Sequence, residues 1–273
     1  MREHDTDRVS STAGPANFIG KWRARWPEWT IASAFLPAPG RELAFAWFAL
    51  LQELTDAAWG GEEATPGLAK LAWWNEELQG WAKGARRHPL GELLQSQPVD
   101  WLAIAASLRE LQASRDGIVA TGLGGQAQGV GQEDRGSMGL GGQALGGADL
   151  RSVNLAGVAQ AIAAGEQVVF ADGGGDTGSA GEASGPDVDV VIASLLAERC
   201  LVHGQATTRP AQAGVLQAAW PDTASSTRPR RMQAALLRAR LDAAIQSPGK
   251  PMTPAAPWRS LWLAWRSARS PLP

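Results

Sequence analysis

The chain has 273 residues, with 44% hydrophobic and 19% charged side chains and a formal net charge of -2, a balance that permits a sizeable core and gives no overall attraction to nucleic acid. Its one cysteine, Cys200, excludes an intrachain disulfide and a zinc site built on thiolates. Because no apolar run approaches the roughly 20 residues of a membrane-spanning helix and the charged first residues do not form a secretory signal, we expect a cytoplasmic protein.

Tryptophan and glycine divide the chain into regions. Of the 13 Trp, nine lie between Trp22 and Trp101 and four between Trp220 and Trp265, and there is no Tyr. The stretch from 117 to 185 holds 20 of the 32 glycines, which favour irregular backbone. We therefore predict that the two aromatic-rich ends build the core and that the middle is loosely ordered.

The first predicted elements are a flexible leader over residues 1–20 and then a single helical domain over residues 21–273. At the start of that domain, Trp22, Trp26 and Trp29 recur at i, i+4 and i+7 among basic residues. Basic and aromatic residues also alternate in nucleic-acid-binding segments. The near-neutral net charge instead favours a helix with its tryptophans inward and its arginines outward.

The stretch from Phe35 to Trp59 carries the clearest helical period. Its positions i, i+4, i+7, i+8 and i+11 are Leu43, Trp47, Leu50, Leu51 and Leu54, which lie on one face and predict a helix against the core. Close to its end, Glu53 and Asp56 are spaced three apart and are neighbours on one helix face. Whether this acidic end binds a metal decides the predicted function.

Later helices are predicted from apolar spacing and from start and stop signals. They run from Thr65 to Gly84, from Asp100, from Asp149, from Asp187 to Gly204, from Arg230 to Ile245 and from Pro257. Gly-rich loops are predicted at about 117–148 and 172–186.

The last two predicted helices each carry a distinctive pattern. In the helix from Arg230 to Ile245, the arginines are predicted to lie mostly outward: Arg230, Arg231, Arg238 and Arg240. In the helix from Pro257, the residues Trp258, Trp262 and Trp265 share one face. No segment shows the sustained alternation of a half-buried strand, so the predicted class is all-α.

Several residues in the first third of the chain match one family pattern. The positions are Arg41, Phe48, Gln52 to Trp59, Leu71 to Leu78 with Trp74 inside it, and His88 followed by Pro89. In this region the sequence resembles the squalene/phytoene synthase family, whose members condense two prenyl diphosphates head to head. The resemblance covers roughly residues 30 to 95.

The resemblance implies an isoprenoid-synthase-like helical bundle with a central apolar cavity. In that family, magnesium ions (Mg2+) bridge carboxylates on two facing helices to the substrate diphosphate and stabilise the leaving group. Here Gln52, Thr55 and Trp59 replace the Arg, the first Asp and the last Asp of the family pattern, so Asp56 alone remains. No later helix carries a second Asp-x-x-x-Asp motif, since its nearest candidates, Asp189 and Glu198, have the wrong spacing.

Two functions are compatible with these departures. In the first, the chain is a non-catalytic or strongly diverged member that acts as a lipid-binding or assembly scaffold, as a resemblance to assembly factors of respiratory complex I suggests. Its partners would be an isoprenoid lipid or another protein, with at most peripheral contact at the inner face of the membrane.

In the second function, the chain is an active prenyl transferase acting on a prenyl diphosphate. Asp56 and Glu53, with Glu76 or Glu77, would hold Mg2+ and carry catalysis, and Arg41, Arg86 and Arg87 would grip phosphate. The resemblance adds further substrate-binding positions, which are Phe48, Gln52, Trp74, Glu77 and His88.

Overall fold

The computed structural model describes residues 14–122, 155–170, 188–250 and 253–269, except for the side chains of residues 116–122. Within these ranges the regular structure is helical and contains no strand. The predicted all-α class is therefore confirmed.

Eleven α-helices are formed by the described residues. They are α1 Pro15–Arg25, α2 Trp29–Ala32, α3 Ala38–Trp59, α4 Ala64–Ala82, α5 Gly91–Leu94, α6 Trp101–Gly122, α7 Ala156–Val169, α8 Val188–Glu198, α9 Arg209–Ala218, α10 Arg228–Gln246 and α11 Pro257–Ala268. A 3-10 turn, Ser33–Phe35, follows α2, and a π-helical turn, Arg199–His203, continues α8.

Two predicted boundaries differ from the structure. The first helix, α1, begins at Pro15, so residues 15–20 of the predicted leader are helical; a proline in the first turn loses no helical hydrogen bond. Helix α6 continues to Gly122, past the predicted loop start at residue 117. Outside the described residues lie residues 1–13 of the predicted leader, residues 123–148 and 172–186 of the predicted loops, and the predicted helix starts at Asp149 and Asp187.

Helix α3 lies in the middle of the fold. It packs against α1, α4, α5 and α6. Four of its five predicted inward residues are buried and Leu43 is half-buried, yet every side chain from Ala46 to Thr55 is also buried. A helix that is buried all round is a core helix, so α3 has neighbours on every side rather than on one face.

The tryptophans near the start of the chain are buried as predicted, but they do not belong to one helix. Trp22, Trp26 and Trp29 are at most 1% exposed. Helix α1 ends at Arg25, because the proline after Trp26 disfavours the helical conformation there. Trp22 stacks on Phe48 of α3, with ring centroids 5.7 Å apart and planes 11° from parallel.

Helix α7 approaches α3 closely at a glycine. A Cβ atom on Gly165 would lie 2.6 Å from Cη2 of Trp47, a distance that no side chain tolerates. The glycine therefore allows the Trp47 indole to lie against α7, where its Nε1 donates to Glu166 Oε1 at 2.9 Å.

The predicted contribution of the last tryptophans to the core is wrong. Trp258, Trp262 and Trp265 are 72%, 47% and 41% exposed, whereas Ser260 and Ala264 of the same helix are buried. Helix α11 packs against α10 and α2, and its buried residues are small. The prediction failed because periodicity identifies an apolar face but not the side that the neighbouring helices cover. Among the described helices, none is both long and apolar enough to cross a bilayer.

Candidate functional site

The acidic end of α3 faces basic residues of α1. Arg25 donates from Nη1 to Asp56 Oδ1 at 2.7 Å and from Nη2 to Oδ2 at 3.2 Å. Lys21 Nζ lies 2.7 Å from Glu53 Oε1 and 3.5 Å from Asp56 Oδ2. Lys21 and Arg25 are four apart on α1 and share a face, which lies along the neighbouring acidic positions of α3.

Two further elements complete this cluster. Lys70 of α4 donates from Nζ to Glu53 Oε2 at 2.6 Å. His203, at the end of the π-helical turn, places Nε2 3.4 Å from Asp56 Oδ1. We call Lys21, Arg25, Glu53, Asp56, Lys70 and His203 the charge cluster.

The pKa values of both carboxyl groups are lowered. Burial raises the pKa of Asp56, but hydrogen bonds from His203 and Arg25 and the charges of Arg25 and Lys21 outweigh it and hold this pKa well below its usual range. Burial likewise raises the pKa of Glu53, but Lys21 and Lys70 outweigh it. Both groups are therefore ionised at neutral pH.

The charge cluster does not fit a magnesium ion. Magnesium needs several oxygen ligands in near-octahedral geometry, but each carboxylate oxygen of Glu53 and Asp56 already has a side-chain cation at 2.6–3.5 Å. A metal ion would have to displace these cations against their repulsion. In the part of the chain that the structure describes, no group of three or more His, Cys, Asp or Glu is arranged to hold a metal ion.

A third acidic residue, Glu198, ends α8 directly before the π-helical turn that packs against α3. Its Oε1 accepts from Gln233 Nε2 at 2.9 Å, and Gln233 Oε1 accepts from Trp29 Nε1 at 2.6 Å. Burial raises the pKa of Glu198, and the nearby charge of Asp56 acts in the same direction.

Sequence spacing missed the relation of Glu198 and His203 to Asp56. The residues after Glu198 form a π-helical turn, whose hydrogen bonds run from i to i+5. Such a turn contains one residue more than an α-helical turn, so α-helical spacing rules do not place His203. No motif of regular spacing would have identified Glu198 and His203 as neighbours of Asp56.

Glu77 stabilises a turn of its own chain segment. Its Oε1 accepts from Trp81 Nε1 at 2.8 Å and from the backbone N–H groups of Arg87 and His88 at 2.7 Å each, and its Oε2 accepts from Arg87 Nε at 3.0 Å. Burial raises the pKa of Glu77, but these hydrogen bonds outweigh it and lower the pKa. Arg87 also lies 3.7 Å from the exposed Glu76, so these predicted ligands and phosphate contacts pair with one another.

His88 is a buried residue of an aromatic cluster. Its ring centroid lies 4.3 Å from that of Phe18 and 4.5 Å from that of Trp74, and its Nδ1 accepts from the backbone N–H of Leu90 at 3.2 Å. Burial disfavours the charged imidazolium and lowers the pKa of His88 to about 4. The ring is therefore neutral at pH 7.

This lowered pKa predicts an acid-sensitive fold. Below the unfolded-state pKa of about 6.5 the unfolded chain takes up a proton at His88 while the native state remains neutral down to about pH 4. The contribution is fully present above pH 6.5 and is lost as the pH falls through this window, by at most about 1.4 kcal/mol per pH unit. Urea unfolding at a series of pH values measures this effect. Between pH 6.5 and 4.5 the free energy of unfolding should depend less steeply on pH in His88→Asn than in the wild type. An equal dependence in both proteins would contradict a lowered pKa of His88.

The other predicted binding residues lie apart from the charge cluster or within the core. Arg41 donates from Nε to the Leu36 carbonyl at 3.0 Å, about 22 Å along α3 from Asp56 at 1.5 Å per residue. Arg86 is exposed, and Trp74 is buried beside His88.

Phe48 and Gln52 are buried inside α3. Phe48 is covered by Trp22 on one side, and the guanidinium carbon of Arg230 lies 5.2 Å from its ring centroid. The carbonyl of Gln52 accepts from Thr55 Oγ1 at 3.1 Å. Of the predicted catalytic and substrate-binding residues, the charge cluster therefore contains only Glu53 and Asp56.

Two arginines of α10 that were predicted to lie outward are buried in ion pairs. Arg230, 2% exposed, makes a bidentate contact with Glu166 of α7, with Nε 3.0 Å from Oε2 and Nη2 bonded to Oε1. Arg240 donates from Nε to Glu28 Oε1 at 2.8 Å and from Nη2 to Oε2 at 2.6 Å. For Arg230 the sequence spacing did indicate burial, because this residue lies seven positions before the buried Leu237 and shares its face.

A cavity of about 220 Å³ lies between the start of α9 and the end of α10. Its lining includes Arg209, Arg240 and Lys250 among small residues. The central apolar cavity that the family resemblance implies stays a prediction.

Comparison of the chain with protein-family models, with characterised proteins and with solved structures gives no match.

Proposed function

We propose that the protein is a non-catalytic relative of the squalene/phytoene synthases, in which an isoprenoid-synthase-like bundle serves as a lipid-binding or assembly scaffold. The observation that carries the proposal is the charge cluster. Its two α3 carboxylates are neutralised by the fixed cations of Lys21, Arg25 and Lys70.

The charge balance of the cluster supports a structural role. A transferase must neutralise a diphosphate leaving group, and its acidic residues serve this purpose by holding magnesium. Here Glu53 and Asp56 are 5% and 15% exposed and bind α1 and α4 to α3 instead. These carboxylates, committed to side-chain cations, stabilise the packing of three helices and are not free to hold magnesium for the ionisation step.

The family resemblance and the aromatic core support a lipid ligand. The described bundle is rich in buried tryptophan, and its indole rings would give apolar, polarisable walls to an isoprenoid chain if the central cavity implied by the resemblance exists. The hydrogen bonds from the backbone of Arg87 and His88 to Glu77 tie the end of α4 to the turn that follows it.

A turnover assay tests the proposal. The full chain is incubated with farnesyl or geranylgeranyl diphosphate and Mg2+, with and without NADPH, and both released pyrophosphate and extracted lipid are measured. We expect neither pyrophosphate release nor a new hydrocarbon. Turnover that disappears in Asp56→Ala but persists in the control Glu62→Ala, at an exposed glutamate with no assigned role, would establish the transferase instead.

A binding measurement tests the lipid-binding role. Farnesol and farnesyl diphosphate are titrated against the full chain, and the thermal midpoint is followed with Mg2+ and with EDTA. We expect a rise of the midpoint that does not depend on the metal, since ligand binding to the native state stabilises it. A rise only with Mg2+ would contradict the proposal.

A further inference from the structure

Helix α11 exposes a continuous row of large apolar side chains. Trp258, Leu261, Trp262 and Trp265 are 72%, 48%, 47% and 41% exposed. Their spacing of i, i+3, i+4 and i+7 places them on one face. The opposite face, with Ser260 and Ala264, is buried against the bundle.

This row differs from the other exposed apolar residues of the described chain. Leu102, Val168, Val215 and Ile245 lie one each on α6, α7, α9 and α10. Single exposed apolar residues are normal, but a contiguous apolar patch on a soluble surface marks an interaction site. We call the α11 row the tryptophan face.

Basic residues accompany the tryptophan face. Arg259, Arg266 and Arg269 lie on or next to α11, and the sequence from residue 243 to 273 contains no Asp or Glu. The guanidinium carbon of Arg266 lies 5.3 Å from the ring centroid of Trp262, and that of Arg269 lies 4.0 Å from that of Trp265. Arg259 lies 3.5 Å from Asp242 of α10, so its charge is partly balanced.

We propose that the tryptophan face binds flat on a lipid bilayer that carries anionic headgroups. Indole rings prefer the membrane interface, where an apolar body meets a polar edge. Arginines that lie beside them place their charge at the level of the phosphates. A locally basic, acid-free helix on a chain of net charge -2 is complementary to an anionic lipid surface.

The dimensions of the tryptophan face set the strength of binding. From Trp258 to Trp265 the helix rises roughly 10 Å, which is enough for an interfacial contact and far too little for insertion across a bilayer. We therefore expect weak, reversible binding that decreases as the salt concentration rises. The inference is independent of the proposed function, because α11 contributes no residue to the charge cluster.

Vesicle flotation with the full chain tests the proposal. Wild-type protein should float with vesicles of phosphatidylcholine and phosphatidylglycerol and should bind phosphatidylcholine vesicles weakly. The triple variant Trp258→Ser, Trp262→Ser, Trp265→Ser should lose binding, and each single replacement should weaken it by roughly three- to tenfold. The control Leu102→Ser, Val215→Ser removes exposed apolar residues elsewhere and should bind as the wild type does.

Charge variants and the oligomeric state decide the remaining outcomes. Arg266→Gln and Arg269→Gln should each lower the affinity for anionic vesicles by roughly fivefold. Circular dichroism and the thermal midpoint verify that each variant is folded. Absence of flotation with either lipid, equal binding to both lipids, or a wild-type dimer that the triple variant converts to a monomer would each overturn the proposal.

Discussion

Glu166→Gln is expected to destabilise the fold by about 3–5 kcal/mol, the usual cost of removing one partner of a buried ion pair. Arg230 is 2% exposed and loses its bidentate carboxylate partner, while Glu198 acts on it only through its charge. The glutamine amide keeps an oxygen for the Trp47 indole, so the loss reports chiefly on the buried charge that has lost its partner. Urea unfolding followed by tryptophan fluorescence and by circular dichroism measures it.

A second replacement separates charge from packing at this pair. Arg230→Met in the Glu166→Gln background removes the unpaired charge at similar length, and we expect it to recover most of the lost stability. The matched control is Glu62→Gln, at an exposed glutamate, with an expected change within about 0.5 kcal/mol. A loss below about 1 kcal/mol for Glu166→Gln would contradict a buried pair.

The sequence predicted where the helices lie along the chain better than which helices pack against each other. The apolar spacing of α3 predicted its length and one inward face, because such spacing follows directly from the helical period. Two features depend on which helices pack against each other. Helix α3 is surrounded on all sides, and α11 turns its tryptophans outward. Periodicity carries no information on that choice.

The charge cluster was predictable only in parts. The spacing of Glu53 and Asp56 identified the acidic end of α3, but the arginines of the first helix were predicted only to lie outward. Their pairing joins residues more than thirty positions apart, and His203 reaches Asp56 only through a π-helical turn. A metal-ligand motif contains only the carboxylates, so it carries no information on the cations that neutralise them.

The buried arginines show how a charge pattern misleads. Arginine in a helix is usually a solvated residue, and on α10 this expectation is wrong for Arg230 and Arg240. Both are bidentate partners of buried glutamates, a geometry that the planar guanidinium satisfies and an ammonium does not. The acids, Glu166 and Glu28, lie in other helices or turns, so no local signal connects the pairs.

Asp56→Asn distinguishes a structural cluster from a metal site by stability alone. In the cluster, the replacement removes the negative charge opposite Arg25 and Lys21, and we expect a loss of about 1–3 kcal/mol. This range lies below that for Glu166 because Arg25 and Lys21 are 28% and 49% exposed and water screens part of the interaction. At a metal site, the same replacement relieves repulsion between carboxylates and leaves the apoprotein as stable or more stable.

The pH dependence of this loss gives a second reading of the same variant. Because the folded-state pKa of Asp56 is lowered, its contribution is present above the unfolded-state pKa of about 3.9 and is lost as the pH falls below it. The difference in the free energy of unfolding between wild type and Asp56→Asn should therefore shrink as the pH falls below 4. Glu62→Gln is the control at an exposed carboxylate. The thermal midpoint of both proteins is also measured with Mg2+. A midpoint that rises in the wild type but not in Asp56→Asn would assign Asp56 to a metal site, since a carboxylate already held by Arg25 and Lys21 gains nothing from the ion.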